Sequence, residues 1–220
     1  MTAAPWRCAI RQFFDGFGGL LPSLLDGARV TVTYSVVTIV LAVLLGLLVT
    51  CMRLYLPWGI GRIATVYVEL FRNTPLLLQL YTIYYGLSQL SFVTATFAGI
   101  AALTLNYGAY EAENIRAGLQ AVDRGQWEAA QALGMRTPRT LWHIVLPQAI
   151  RTIIPPVAND FIYLFKDSSI LSLITITELT SVAHHAADRT FDNTPYLYAA
   201  IIYLCMSYPT SLAARWLERR

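Results

Sequence analysis

The sequence predicts an all-α membrane protein with about five transmembrane helices. Three observations carry this. Of 220 residues, 56% are hydrophobic and 13% charged, against about 25% charged in an ordinary soluble domain. The apolar residues come in long runs, which excludes a soluble globule and a disordered chain. The arginines fall mostly between those runs.

A span needs about 20 mostly apolar residues at about 1.5 Å rise each. Val30 to Met52 has no charge and is the clearest. Ile63 to Leu87 is long enough but contains Glu69, Arg72 and Pro75. Phe92 to Tyr110 carries an Asn106-Tyr107-Gly108 interruption. Leu146 to Phe165 contains Pro147, Arg151, Pro155-Pro156 and Asp160, and the prolines are expected to break it. Tyr196 to Ala214 is the last span. Ile170 to Val182 is apolar but short, which fits a re-entrant or interfacial helix and leaves a sixth span open. Residues 1–27 carry Asp15, glycines and Pro22 and read as a short interfacial helix, not a cleavable signal.

The positive-inside rule orients these spans. Arg53 and Arg62 lie between spans 1 and 2. Arg116, Arg124, Arg136, Arg139 and Arg151 lie between spans 3 and 4 or at the start of span 4, and Arg215, Arg219 and Arg220 close the chain. Together they mark the cytoplasmic side. Ser88–Ser91 is uncharged, and Thr175–Pro195 sets Arg189 against Glu178, Asp188 and Asp192. Five spans then place the N-terminus outside and the C-terminus in the cytoplasm. The first segment carries Arg7, Arg11 and Arg29 against Asp15 and Asp26.

Composition also excludes activities. Lys166 is the only lysine, and Asp167 follows it. A phosphate-binding P-loop requires Lys followed by Ser or Thr, so ATP coupling must come from another protein. A net charge of +3 with dispersed basic residues does not describe a nucleic-acid surface. Cys8, Cys51 and Cys205 form no metal or redox spacing. His184-His185 lacks an acidic or Cys set at ligand spacing, so no metal is expected. No nucleophile–base arrangement is visible, which argues against an enzyme.

Residues 111–143 form the one long polar stretch. Asp123 can N-cap a short helix, with Gln126 completing a capping-box pattern. Trp127, Ala130 and Leu133 fall at helical spacing as an apolar ridge, and Gly134 is the stop. Thr137-Pro138 reads as the cap and first residue of the next helix. A solvated connector has no need to expose Trp127 and Leu133, so the ridge reads as a docking surface.

Glu128-Ala129-Ala130, then Gly134, then Ile144-Val145-Leu146-Pro147 matches in spacing the EAA---G---------I-LP signature. The chain therefore resembles the permeases of ABC importers. Glu69-Leu70-Phe71-Arg72-Asn73-Thr74-Pro75-Leu76-Leu77 resembles the ELFRGTPLL motif of the polar amino acid permeases. Leu146-Pro147-Gln148-Ala149 and Phe165-Lys166-Asp167-Ser168-Ser169 resemble that group's LPQA and KDTSL motifs. Asn73 stands where Gly is usual and Ser168 where Thr is usual.

The resemblance implies a type I importer fold filling residues 1–220 as one permease domain, with a core over 28–215. It implies that Glu128, Ala129, Ala130 and Gly134 form a coupling helix seated on an ATP-binding subunit. ATP and Mg²⁺ would be bound by that partner, with no cofactor in this chain. A second permease copy or paralogue, an external amino-acid-binding protein and membrane lipid are the other implied partners. The implied location is the bacterial cytoplasmic (inner) membrane, as a multi-pass subunit of a polar amino acid importer. An ion-coupled secondary transporter or channel is the alternative; it would be expected to show an internal repeat.

Charges inside a span face protein or water, because lipid exposure costs about 2.5–3.5 kcal/mol. At about 100° per residue, Asn159 sits at 0°, Tyr163 near 40°, Asp167 near 80°, Asp160 near 100° and Lys166 near −20°. This stripe reads as pathway lining for Asn159, Asp160 and Tyr163, while Lys166 and Asp167 read as a structural pair. Arg72-Asn73-Thr74 before Pro75 offers a second polar break. Asp160 and Arg72 are candidates for the ammonium and carboxylate of a zwitterion, although Glu69 and Arg72 at i,i+3 can neutralise each other. Glu111 and Glu113 read as interfacial groups or partner contacts.

Overall fold

The structure is a computed structural model that describes residues 5–218, with side chains over 13–216; Arg219 and Arg220 lie outside. The described residues are mostly helical, with no strand among them. In chain order the helices are α1 (Pro5–Tyr55), α2 (Trp58–Arg72), α3 (Leu76–Tyr84), α4 (Ala95–Gln120), α5 (Arg124–Ala132), α6 (Thr137–Thr140), α7 (Leu146–Asp167), α8 (Leu179–Thr190) and α9 (Thr194–Glu218). A π-helical turn over Leu141–Val145 joins α6 to α7, and a 3-10 helix over Ser168–Ile174 follows α7.

The first expected span lies inside a much longer helix. Pro22 and the neighbouring glycines do not interrupt α1, so residues 5–27 are not a separate interfacial helix. Val- and Thr-rich sequence is a modest helix former in water, but in a hydrocarbon setting each backbone group must be satisfied within the segment. Thr33 and Ser35 bond back to the carbonyls of Arg29 and Thr31, both at 2.8 Å. Helices long and apolar enough to cross a membrane are found over Phe13–Tyr55 and Thr194–Trp216.

The second span is two helices, α2 and α3, broken at 73–75. The third runs ten residues past its expected end, so Asn106-Tyr107-Gly108 is no interruption and Glu111–Gln120 belongs to α4. The fourth carries Pro147 in its first turn and continues through Pro155 and Pro156, which remove hydrogen bonds without ending the helix. The 170–182 run is not one helix. Thr175 takes a left-handed φ of 69° after the 3-10 segment, and α8 begins only at Leu179. At about 2 Å per residue the seven-residue 3-10 piece is too short to span.

α4 is the axis of the bundle and contacts α1, α2, α3 and α7, while α9 packs on α7 and α8. The main core joins Ala42, Leu80, Leu103, Leu164 and Leu171. A second cluster joins Leu24, Leu179, Ala183 and Ile202. Its polar centre is Glu178, fully buried, which caps α8 through the amides of Thr180 (2.9 Å) and Ser181 (2.8 Å) and accepts from Tyr203 (2.9 Å) and Thr31 (3.4 Å).

α1 and α4 meet backbone to backbone at Gly46. A Cβ there would lie 2.8 Å from the Ala112 amide nitrogen, and Thr50 donates to the Ala112 carbonyl at 2.9 Å. Gly46→Ala is therefore expected to force the two helices apart at a cost of about 1–3 kcal/mol, and Gly46→Val to cost more. Thermal unfolding of the purified protein checks this; unchanged midpoints would show that the contact yields freely.

Candidate functional site

Two regions carry the predicted residues. The first is α5, which forms as expected at both ends. Asp123 accepts from the Gly125 amide at 2.6 Å. At the other end Gly134 has φ 76°, with its N–H on the Gln131 carbonyl and the Met135 N–H on that of Ala130. That paired return is a Schellman motif, which calls for a left-handed residue and so for glycine. The capping box is only half present, because Gln126 instead accepts from Gln148 at 3.3 Å. The next cap falls one residue early, at Arg136, with Thr137 inside α6.

The apolar ridge points inward for the most part. Ala130 is buried, and Trp127 packs on Val122, Val145 and Ala149. Leu133 alone of the three is strongly exposed, at 80%. Glu128, Ala129 and Gly134 are exposed, and Glu128 lines a hollow of 520 Å³ with Arg124, Trp127 and Gln131. Val145 links the two halves of the signature: it gives Trp127 its seat, so the I-LP segment supports the helix that displays Glu128.

The second region is a cavity of 420 Å³, within the about 300–1,000 Å³ typical of small-molecule sites. Its walls come from the break before α3 (Thr74, Pro75, Leu76), from α4 (Asn106, Tyr107, Tyr110) and from α7 (Asp160, Tyr163, Asp167). Of the expected pathway residues, Thr74, Asp160 and Tyr163 line it. Arg72 stands beside it, 5.4 Å over the Tyr110 ring. Asn73 and Asn159 are not among the lining residues; Asn73 turns back onto the Glu69 carbonyl at 2.7 Å and carboxylate at 3.0 Å.

Several pairings differ from expectation. Tyr107 donates to Asp167 at 2.6 Å, while Lys166 sits 4.3 Å over the Tyr163 ring. Arg72 faces Glu113 at 3.9 Å, not Glu69. Glu111 is fully buried and accepts from Asn114 at 3.3 Å; the same amide donates to Asp160 at 2.9 Å. Glu113 is held by arginines of its own chain, so neither carboxylate is an interfacial spare. The cavity wall thus presents two carboxylates among tyrosine rings, a surface suited to a cationic group. His184 on α8 pairs with the hydroxyl of Tyr196 on α9 at 2.8 Å, and no metal-holding group is found among the described residues.

The sequence reading missed Asn106, Tyr107, Tyr110 and Asn114. At about 100° per residue they share an arc of roughly 100°, a signal of the same kind as the Asn159 stripe.

The fold is that of solved transporter permeases. A chain described as the crystal structure of an amino acid ABC transporter with histidines superposes with TM-score 0.86 and 36% identity over 100% of both chains. An inward-facing methionine ABC transporter chain shares the fold at TM-score 0.71 and 17% identity, over 91% of this chain and 94% of that one. The L-cystine transport system permease protein of Bacillus subtilis (strain 168) is 35% identical over 100% of this chain and 92% of its own length. The arginine transport system permease protein of the same organism is 34% identical over 91% and 93%. The model for binding-protein-dependent transport system inner membrane components matches residues 39–220. The chain belongs to that family, the membrane-embedded permease subunits of ABC transporters. In it the ATPase activity resides in partner proteins, and an ATP-binding subunit and a substrate-binding protein are the implied partners.

Glu113 lies past the apolar stretch of α4. Hydrogen bonds from Arg116, at 2.6 Å, hold its carboxyl well below the ordinary 4.5, at about 2, against a burial effect that raises it, and Arg53 adds to the lowering. A depressed carboxylate stabilises the fold fully above its unfolded value and loses that contribution as pH falls towards its folded value. Wild type and Glu113→Gln should therefore differ in stability above pH 4.5 and converge between 4.5 and about 2. Parallel pH–stability curves would show the cluster to be inert.

Proposed function

We propose that this chain is the permease subunit of an importer for polar amino acids, working as one of two permeases, identical or paralogous, in a multi-pass arrangement of about five spans. α1, α2–α3, α4, α7 and α9 would be those spans, with the N-terminus outside, the C-terminus in the cytoplasm and residues 1–220 acting as one domain. This fits an inner-membrane subunit of a bacterium. The single observation that carries the reading is α5: a nine-residue helix stopped by Gly134, showing Glu128 and Ala129 outward while Ala130 packs inward. The matched family and the amino-acid permeases among the relatives support it over an ion-coupled secondary transporter.

On this reading two partner subunits bind ATP and Mg²⁺, and their closure moves α5. Glu128, Ala129 and Gly134 form the coupling contact, and the buried Ala130 seats the helix from behind. The binding protein delivers an amino acid from outside. Thr74, Asp160 and Tyr163 line its path, with Arg72 close by, Asn73 and Asn159 flanking it, and Tyr107, Tyr110 and Asp167 added by the cavity. The carboxylates receive the ammonium, and Arg72 lies near enough for its partner charge.

Glu128→Arg is expected to lower ATP-dependent uptake in proteoliposomes by about tenfold or more, the scale on which a misplaced contact far from the chemistry slows an enzyme, with the subunit still membrane-inserted. Full uptake would remove α5 from the coupling role. Asp160→Asn should change uptake of at least one amino acid in a panel; identical rates for all of them would take Asp160 out of the path.

A further inference from the structure

We propose that the hollow between the end of α1 and the start of α2 holds the phosphate of an anionic phospholipid. The hollow measures 460 Å³, and its wall carries Arg53, Arg62 and Arg116 together with Leu54, Leu56 and Trp58. The three guanidiniums arrive from α1, α2 and α4. Glu113 accepts from Arg53 and Arg116 and so fixes both side chains, but its one charge leaves the three arginines with positive charge in excess. Arg62 is held 5.0 Å over the Trp58 ring. The fifteen-residue α2 opens here behind Pro57, with no side-chain cap, and its first-turn residues Trp58 and Gly61 line the hollow, so the positive helix end adds to the arginines.

The rim separates a lipid from a free anion. Leu54, Tyr55, Leu56 and Trp58 are exposed by 42%, 60%, 47% and 78%. Inorganic phosphate would leave these apolar groups uncovered. A diacyl lipid places its phosphate among the arginines and its chains along the apolar rim, and basic pockets between transmembrane helices hold anionic headgroups in this way. Exposed aromatic side chains beside arginines also mark the level of the membrane–water boundary. The inference rests on membrane embedding alone, not on the transported solute or the role of α5.

The test uses the complete purified transporter with its partner subunits, analysed by native mass spectrometry after delipidation and titration with phosphatidylglycerol or phosphatidylcholine of matched chains. Wild type is expected to retain phosphatidylglycerol about fivefold better, the scale of one arginine near a charged headgroup. Arg62→Gln should lose most of that preference and Arg62→Lys keep part of it. Thr65→Glu, which sets a carboxylate into the wall without removing an arginine, should abolish it. Millimolar inorganic phosphate should leave the bound lipid in place. Equal retention of both lipids by wild type, an unchanged preference in Arg62→Gln and Thr65→Glu, or displacement by inorganic phosphate would each overturn the proposal. Amino acid uptake in the same variants reports separately on the transport reading.

Discussion

The carbonyl of Phe71 accepts two side-chain amides, Gln79 Nε2 at 2.9 Å and Asn106 Nδ2 at 3.2 Å, and the cavity depends on it. Pro75 has no N–H to give, so a helix entering it strands carbonyls, each costing several kcal/mol in hydrocarbon. Thr74 covers that of Leu70, and the Asn73 side chain joins its own backbone N–H on that of Glu69. Gln79 covers the Thr74 carbonyl at 3.0 Å as well as that of Phe71, and Asn106 ties Gln79 in place at 3.1 Å. Only with these bonds made can the second span stop, step sideways and resume. That step brings Thr74 and Pro75 to the wall opposite Asp160.

α4 ties this device to the rest of the molecule. Its tight seat on α1 at Gly46 fixes its height, and one polar face serves three tasks along its length. Asn106 repairs the break; Tyr107 and Asn114 orient Asp167 and Asp160; Glu113 gathers arginines from α1, α2 and its own helix. Orientation of the α7 carboxylates is therefore set from a neighbour. A change in the α4–α7 relationship would alter the cavity's acidity and its width together.

What could be read from residue order was what local rules govern. The caps of α5, the stop at Gly134 and the apolar runs of α1 and α9 depend on a few consecutive residues, and they fall where expected to within one position or a helix extension. The rest depends on partners distant in sequence. Proline reads as a breaker, yet α7 runs on through Pro155 and Pro156, while the break before α3 persists because Gln79 and Asn106 receive its carbonyls. The apolar periodicity of Trp127 and Ala130 was visible, but not the direction it faced, since the seat of Trp127 is Val145 and Ala149, on the π-helical turn and α7. Asp167 follows Lys166 in the chain and pairs with Tyr107, because adjacent helical residues point about 100° apart.

Glu178 adds a consequence in time. Its hydrogen-bond partners come from Thr31 near the beginning of the chain, from the start of α8 and from Tyr203 near the end. During synthesis Tyr203 is made long after Thr31. Until α9 arrives, the carboxylate that starts α8 lacks one of its donors, the Tyr203 hydroxyl, and the surrounding apolar seat of Ile202. Docking of Glu178 onto Thr31 closes a separation of 147 residues, and such long-range closure is slow. A chain stopped before α9 would hold its first helices with this corner still open, which makes completion of the last span the step that seals the bundle.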